Sequence, residues 1–353
     1  MIRYIVLGLA IMPMITVASF DSMYSTWVEQ LLGKPEAKIT LMEGFTSIGE
    51  KVTMTVNGSG PDFTLQAAAT VDAVMTRDDK LQGDVDLQLS VTAAGETMAA
   101  AGSMQMRGID DMLYVQANID TLDIGETIDA QTQLMINALK NQWISIPTDT
   151  APELQDMFSF TQSMQMSKDM VDVLKKNPIV KSTKQLSRNG YEIHLLEADM
   201  NAMNTLATEM MQVLVPNQAD MVGMDIIEAD LDTGSWKTIG VIGQKGDEIK
   251  MGMTMRDTTT KDRIQMVSNS NAQNTTLVMK GYEGTSKKAL MEFHLQNTTK
   301  SPTESEIKAK IMVPDEQLEI NISAASNVYD AGTIQIVTPD NALSIEEITS
   351  KLQ

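Results

Sequence analysis

Two histidines, two same-face aspartate pairs and no cysteine are the groups this 353-residue chain offers for chemistry. His194 lies between Ile193 and Leu195, and His294 between Phe293 and Leu295, which puts both imidazoles on the polar side of a strand and predicts solvent exposure. A zinc site needs three or four converging protein ligands, which these two do not supply. Asp84 with Asp86, and Asp230 with Asp232, set two carboxylates about 7 Å apart on one strand face by strand rise. That spacing suits paired acids, yet in a chain with 47 acidic against 27 basic residues it reads as solvation. There is no Gly-x-Ser-x-Gly elbow, phosphate-binding glycine loop, His-Glu-x-x-His helix or alternating calcium loop. The expectation is a protein that is not an enzyme and has no cofactor and no metal.

The elements that would position such groups are amphipathic strands. In Asp84 to Val91, the residues Val85, Leu87, Leu89 and Val91 point one way and the polar residues the other, the signature of a strand wet on one face and dry on the other. The same alternation runs through Lys51 to Val56, Ser103 to Met106, Tyr191 to Leu195, Ile249 to Met255, Ile307 to Val313 and Leu318 to Ala324. Many dry positions are methionine: 29 in all, against 3 Trp, 6 Tyr and 6 Phe. Methionine serves as generic core filler, and equally as an adaptable lining for a pocket.

Composition narrows the partners. A formal net charge of -20, scattered along the chain, repels phosphate backbones, so nucleic acid is not an expected partner. At the N-terminus, Arg3 precedes an apolar run from Ile5 to Val17, followed by Ala18-Ser19-Phe20. This fits a secretory signal cleaved after Ser19. An uncleaved membrane anchor is the other reading, because Tyr24 and Trp27 are residue types that favour a membrane interface. Either way the protein is exported, to a periplasmic, cell-surface or membrane-anchored extracytoplasmic location, and without cysteine its stability comes from its core.

Period and turn chemistry divide the chain into residues 1–20 (signal or anchor), 21–147 (a helix and a first β half), 148–215 (a helical middle with a hairpin), 216–330 (a second β half) and 331–353 (a tail with a short helix). Thr150 and Glu153 form a capping box opening a helix toward Asn177, and Met203, Leu206, Met210, Met211 and Leu214 make one apolar stripe on a second helix. Asn189-Gly190 marks a hairpin, and Ser344 caps a terminal helix.

Three stretches carry a family resemblance: Met106 to Val115 with its Tyr114, Asn141 to Pro147 with its Trp143, and the Asn189-Gly190 hairpin followed by a helix from Asn201. The order of these segments over residues 45 to 260 resembles exported proteins of the LolA and LppX/LprG type. That resemblance implies an α+β, β-rich fold: a strongly curved antiparallel sheet, or half-barrel, with amphipathic helices in its concave face, here extended by a second β half. It also implies a lipid or other hydrophobic small molecule as partner. Cavity-lining candidates are Met157, Met203, Leu206, Met210, Met211, Leu214, Met251, Met253 and Met255. The absence of cysteine departs from the family's lipoproteins. The competing expectations are a cell-surface structural or protein-interaction module with a filled core, and an envelope chaperone.

Overall fold

The computed structural model describes residues 23, 26, 27, 30, 35–123, 140–148, 169, 172, 173, 180–198, 209 and 236–352. The chain divides into two compact units, one built from Met1–Lys38, Gln165–Pro302 and Ile307–Glu316, the other from Ile39–Met164, Thr303–Glu306 and Gln317–Gln353.

The second unit holds β1 (Ser47–Gly60), β2 (Phe63–Thr76), β3 (Leu81–Ala93), β4 (Glu96–Ile109), β5 (Met112–Asp123), β6 (Trp143–Pro147), β15 (Leu318–Asp330) and β16 (Leu343–Ser344). Their order in the sheet is β16-β6-β5-β4-β3-β2-β1-β15. All pairs are antiparallel except the two-residue parallel match of β16 with β6. The first unit carries β7 (Val180–Arg188), β8 (Tyr191–Ala198), β9 (Trp236–Lys245), β10 (Glu248–Asp257), β11 (Arg263–Ser270), β12 (Asn274–Tyr282) and β13 (Met291–Thr299), neighbours in chain order. The last strand, β14 (Glu304–Val313), has residues in both units.

Two-residue turns explain the meander. Pro61-Asp62, Ala94-Gly95, Asp110-Asp111, Asn189-Gly190 and Gly246-Asp247 join successive strands, too short to lead anywhere but back along the neighbour. At Asn189-Gly190 both residues have positive φ, 54° and 80°, the geometry for which Asn-Gly is selected. β1 outruns its expected end at Val56, because Asn57 to Gly60 stay paired with Gln66 to Phe63. The terminal helix α2 (Ile345–Leu352) starts as expected: Ser344 Oγ accepts from the Glu347 amide at 3.2 Å, and Glu347 accepts from the Ser344 amide at 2.8 Å.

The α+β half-barrel expectation does not hold. Strand makes up 67% of the described residues, and the two helices described over their length, α1 (Pro35–Met42) and α2, have eight residues each. Among the described residues no helical layer covers a concave sheet face. Further strands extend the sheet instead, each satisfying its neighbour's backbone groups directly. The helices expected over residues 130–139, 150–177 and 201–214 lie almost entirely outside the described residues; Asp169, Asp172, Val173 and Glu209 are helical.

Two local devices hold the lower end of the second unit. Arg77 caps the chain after α1, its guanidinium donating to the carbonyls of Glu43 at 2.6 Å and Phe45 at 2.8 Å, where a cation suits exposed helix-end carbonyls. Across the sheet the Tyr329 ring lies over Gly49, and its hydroxyl donates to Asp72 at 2.9 Å. A Cβ at position 49 would overlap that ring. Gly49→Ala is therefore expected to cost about 1–3 kcal/mol, the range of overpacking, read as a lower denaturant midpoint at unchanged slope. In the turn after β2, hydrogen bonds from Lys80 and then Thr76 push the Asp78 carboxyl from 3.8 down to about 2. The small stability this adds is present above pH 3.8 and lost as pH falls through about 2; Asp78→Asn should abolish that part of the acid dependence in pH-resolved denaturation.

Candidate functional site: the apolar face of the second unit

Strict register across six strands aligns their dry residues into rows. One runs Ile322, Val56, Ala67, Leu89, Ala100, Leu122; the next runs Ala324, Met54, Ala69, Leu87, Gly102, Ile119. A β-bulge at Ala101/Gly102 shifts the register by one residue and so returns Leu122 to the face held by Ile119. On β2 every residue of this face, from Phe63 through Leu65, Ala67, Ala69, Val71 and Ala73 to Met75, is uncharged and non-polar. The same is true on β3 from Leu81 to Ala93.

The face is accessible over its middle. Leu87 is 50% exposed, Met98 43% and Met54 41%, whereas Leu81 and Leu113 at the lower end are buried. The opposite face carries Thr53, Thr70, Asp86, Ser103 and Asn118 in one row, and Lys51, Asp72, Asp84, Gln105 and Gln116 in the next. Gln105 donates to Asp84 at 3.0 Å, and Asp84 and Asp86 are both exposed. The middle of β3 is thus reached from both sides. Four apolar positions from Val85 to Val91 span about 20 Å by strand rise, close to the ~25 Å apolar band of membrane-spanning strands.

The first unit treats its dry face differently. Met251, Met253 and Met255 on β10 are buried, as are Met266, Leu277 and Met279 on β11 and β12. Trp27 is fully buried in this unit, donating from Nε1 to Ser268 Oγ at 3.0 Å. Gln30 donates to the Asp247 carbonyl at 2.9 Å and accepts from Ser270 at 2.6 Å. Met251, Met253 and Met255, the described members of the expected cavity lining, are buried side by side with these neighbours. Met157, Met203, Leu206, Met210, Met211 and Leu214 lie outside the described residues, as do Asp230 and Asp232.

His194 also departs from expectation. It is 1% exposed, held by Ser182 Oγ at 2.9 Å from Nδ1 and Glu192 Oε1 at 3.2 Å from Nε2, while Leu195 is the outward residue. The alternation is the one read from the sequence; the face assigned to solvent was inverted. His294 is half-buried beside Glu292 at 3.2 Å. Hydrogen bonding from Lys280, then from His294, holds the Glu292 carboxyl below its ordinary range. No group of three or more potential metal ligands occurs among the described residues.

No family model matches the chain, and no curated protein matches it. Solved structures to which it is similar include Omp33, an outer membrane protein of Acinetobacter baumannii, with 4% identity and a TM-score of 0.23 over 81% of this chain and 98% of that one. Others are OccK5 (OpdH) of Pseudomonas aeruginosa, with 9% identity and a TM-score of 0.28 over 81% and 98%, and the translocator domain of autotransporter NalP from Neisseria meningitidis, with 5% identity and a TM-score of 0.22 over 87% and 97%. At such scores the site is read from this chain's own geometry.

The strand-dominated architecture corrects the LolA and LppX/LprG resemblance. Tyr114 and Trp143 do fall on paired strands, β5 and β6, but the helical layer that defines the lipid cavity is not among the described elements. Lipid carriage, and a lipid or hydrophobic small molecule as partner, fall with it. The filled-core module is not supported either, since β3 is accessible from both faces.

Sequence reasoning missed Trp27, Ser268 and Gln30 as a unit. The Met23, Trp27, Gln30 spacing of one helical stripe was the available signal; its polar partners lie more than 200 residues away. Ser268→Ala should cost about 1 kcal/mol through the unpaired indole N–H, checked by chemical denaturation against Trp27→Phe and the double variant.

Proposed function

We propose that the protein is an exported, non-enzymatic cell-envelope protein whose second unit works in a membrane through its sheet, with a channel or transport role for small polar solutes. One observation carries this: an apolar face crossing β15 and β1 to β5, uncharged along β2 and β3, with Glu50, Glu96 and Asp330 toward the strand ends, that is accessible at Leu87, Met98 and Met54 and backed by a polar face of Thr, Gln, Asn and Asp. An antiparallel sheet normally buries its apolar face on another layer. Hydrocarbon covers such a face at no desolvation cost, and strands with apolar residues on one side and polar residues on the other are the form in which β structure spans bilayers. The polar face then supplies hydrogen-bonding groups to a solute path. The acidic charge does not oppose insertion, because β2 and β3 keep it off the apolar face. An envelope location agrees with the exported reading of the N-terminus.

The test uses purified full-length protein and phosphatidylcholine vesicles loaded with a small polar dye and, separately, a large dextran. Stable association with vesicles and release of the dye but not the dextran are expected. Leu87→Lys, which sets a charge in the middle of the face, should lower vesicle association by tenfold or more, since a lysine at mid-bilayer costs about 2–4 kcal/mol. Protein that stays in solution, or a Leu87→Lys variant that associates like the parent, would sink the reading.

A further inference from the structure

We infer that the outward face of β9, β10 and β11 in the first unit is a docking surface for an anionic phospholipid bilayer, held by a cross-strand row of Lys237, Arg256 and Arg263 with Ile239 entering the headgroup layer beside it. The inference concerns a different unit and a different face from the function proposed above and does not rest on it.

Like charges directly opposite one another across a sheet are destabilising, and a chain of net charge -20 has carboxylates in excess to set between them. Yet Arg256 on β10 stands opposite Lys237 on β9 and opposite Arg263 on β11. Strand spacing puts the three cations within about 10 Å. They share the outward face, because Thr238, Met255 and Ile264, next to them in sequence, are buried on the other side. Lys237 and Arg256 are exposed, and neither has an ion pair or hydrogen bond among the described residues. Arg263 is held in place, its guanidinium 4.0 Å from the Tyr282 ring centroid and donating to the Ser286 carbonyl at 2.6 Å. Acids at this end of the strands are spent on the backbone. Asp257 accepts from the Thr259 amide at 2.6 Å and the Thr260 amide at 3.1 Å, and Asp262 accepts from the Gly284 amide at 2.7 Å. On the outward face itself, Glu292 is taken by Lys280 at 2.8 Å. The row therefore turns its charge to an anion from outside the chain.

The apolar neighbours choose what carries that anion. Ile239 follows Lys237 by two residues on the same face and is 78% exposed, more than any other large hydrophobic side chain described. Beyond it Val241 and Val267, 40% and 53% exposed, stand in one row with only Gly252 between them. Bare aliphatics next to cations match the boundary of a bilayer, where phosphates give way to acyl chains. A nucleic-acid strand would need stacking rings, and Tyr282 beside the row is buried against Arg263. The acidic remainder of the chain does not cancel the row, because at 0.1 M salt charges are screened beyond about 10 Å.

Co-sedimentation of the full-length protein with vesicles at limiting lipid tests this, comparing phosphatidylcholine alone with phosphatidylcholine containing phosphatidylglycerol. Neutral vesicles read the apolar face of the second unit, while the anionic-to-neutral ratio reads this row, so either reading can fail without the other. The ratio is expected to exceed about thirtyfold at about 0.1 M salt, since each basic side chain near an anionic surface contributes about fivefold. It should fall toward one at about 1 M salt, where screening sets in within about 3 Å. Lys237→Gln combined with Arg256→Gln removes two like charges from exposed positions and should lower the ratio about twentyfold, with the denaturant midpoint no lower than the parent's. Ile239→Ser should weaken association with anionic vesicles at least threefold and leave its salt dependence unchanged. A parent ratio near one, a parent-like ratio in the double variant, or parent-like association of Ile239→Ser would overturn the inference. So would release from the vesicles by millimolar inorganic phosphate, which would make this a site for free phosphate. Self-association of the parent that the double variant abolishes would assign the face to a second copy of the chain and overturn it as well.

Discussion

Unslipped antiparallel pairing across β15, β1, β2, β3, β4 and β5 is the constraint on which the second unit depends. Side chains alternate with period two, so a slip of one residue on any strand would turn its whole apolar row to the polar side. The rows through Leu87 and Leu89 survive because two-residue turns at Pro61-Asp62 and Ala94-Gly95 leave no slack. Where β5 does gain a residue, the bulge opposite Ala101/Gly102 localises the shift. The Tyr329 ring across Gly49, tied to Asp72, pins the other end of the same register through three strands.

The two units answer one physical demand in two ways. Each has a sheet with a dry face, and each dry face must leave water. In the first unit the cover comes from the chain itself: the buried Trp27 donates to Ser268, whose cross-strand partners Met251 and Leu277 are buried too. Flexible unbranched side chains fill such a seat without demanding one shape, while Ser268 and Ser270 supply the directional contacts that choose a register. In the second unit Leu87, Met98 and Met54 remain accessible. That contrast is what gives the accessible face its functional weight, because the same chain shows what a covered face looks like.

Local structure was legible wherever it follows from neighbours in sequence. The alternation in Asp84 to Val91, the Asn189-Gly190 hairpin and the Ser344 cap each appear where their residues place them, since turn geometry and strand period are short-range properties. The limits were also local in origin. Asn57 to Gly60 read as a loop from their glycines, yet pairing with Phe63 to Gln66 and with β15 outweighs their low strand propensity. His194 read as exposed because a polar residue was assumed to face water, but Ser182 and Glu192 satisfy it from within.

The sequence by itself determined that the chain is acidic, free of disulfides and built largely from strands with one apolar side. Those properties are sums over residues or patterns a few residues long. Only the tertiary structure decided what each apolar side meets. Whether Trp27 belongs to a membrane interface or to Ser268 depends on a contact between segments more than 200 residues apart. Periodicity reports that a face is dry; it holds no information about which distant surface, if any, covers it.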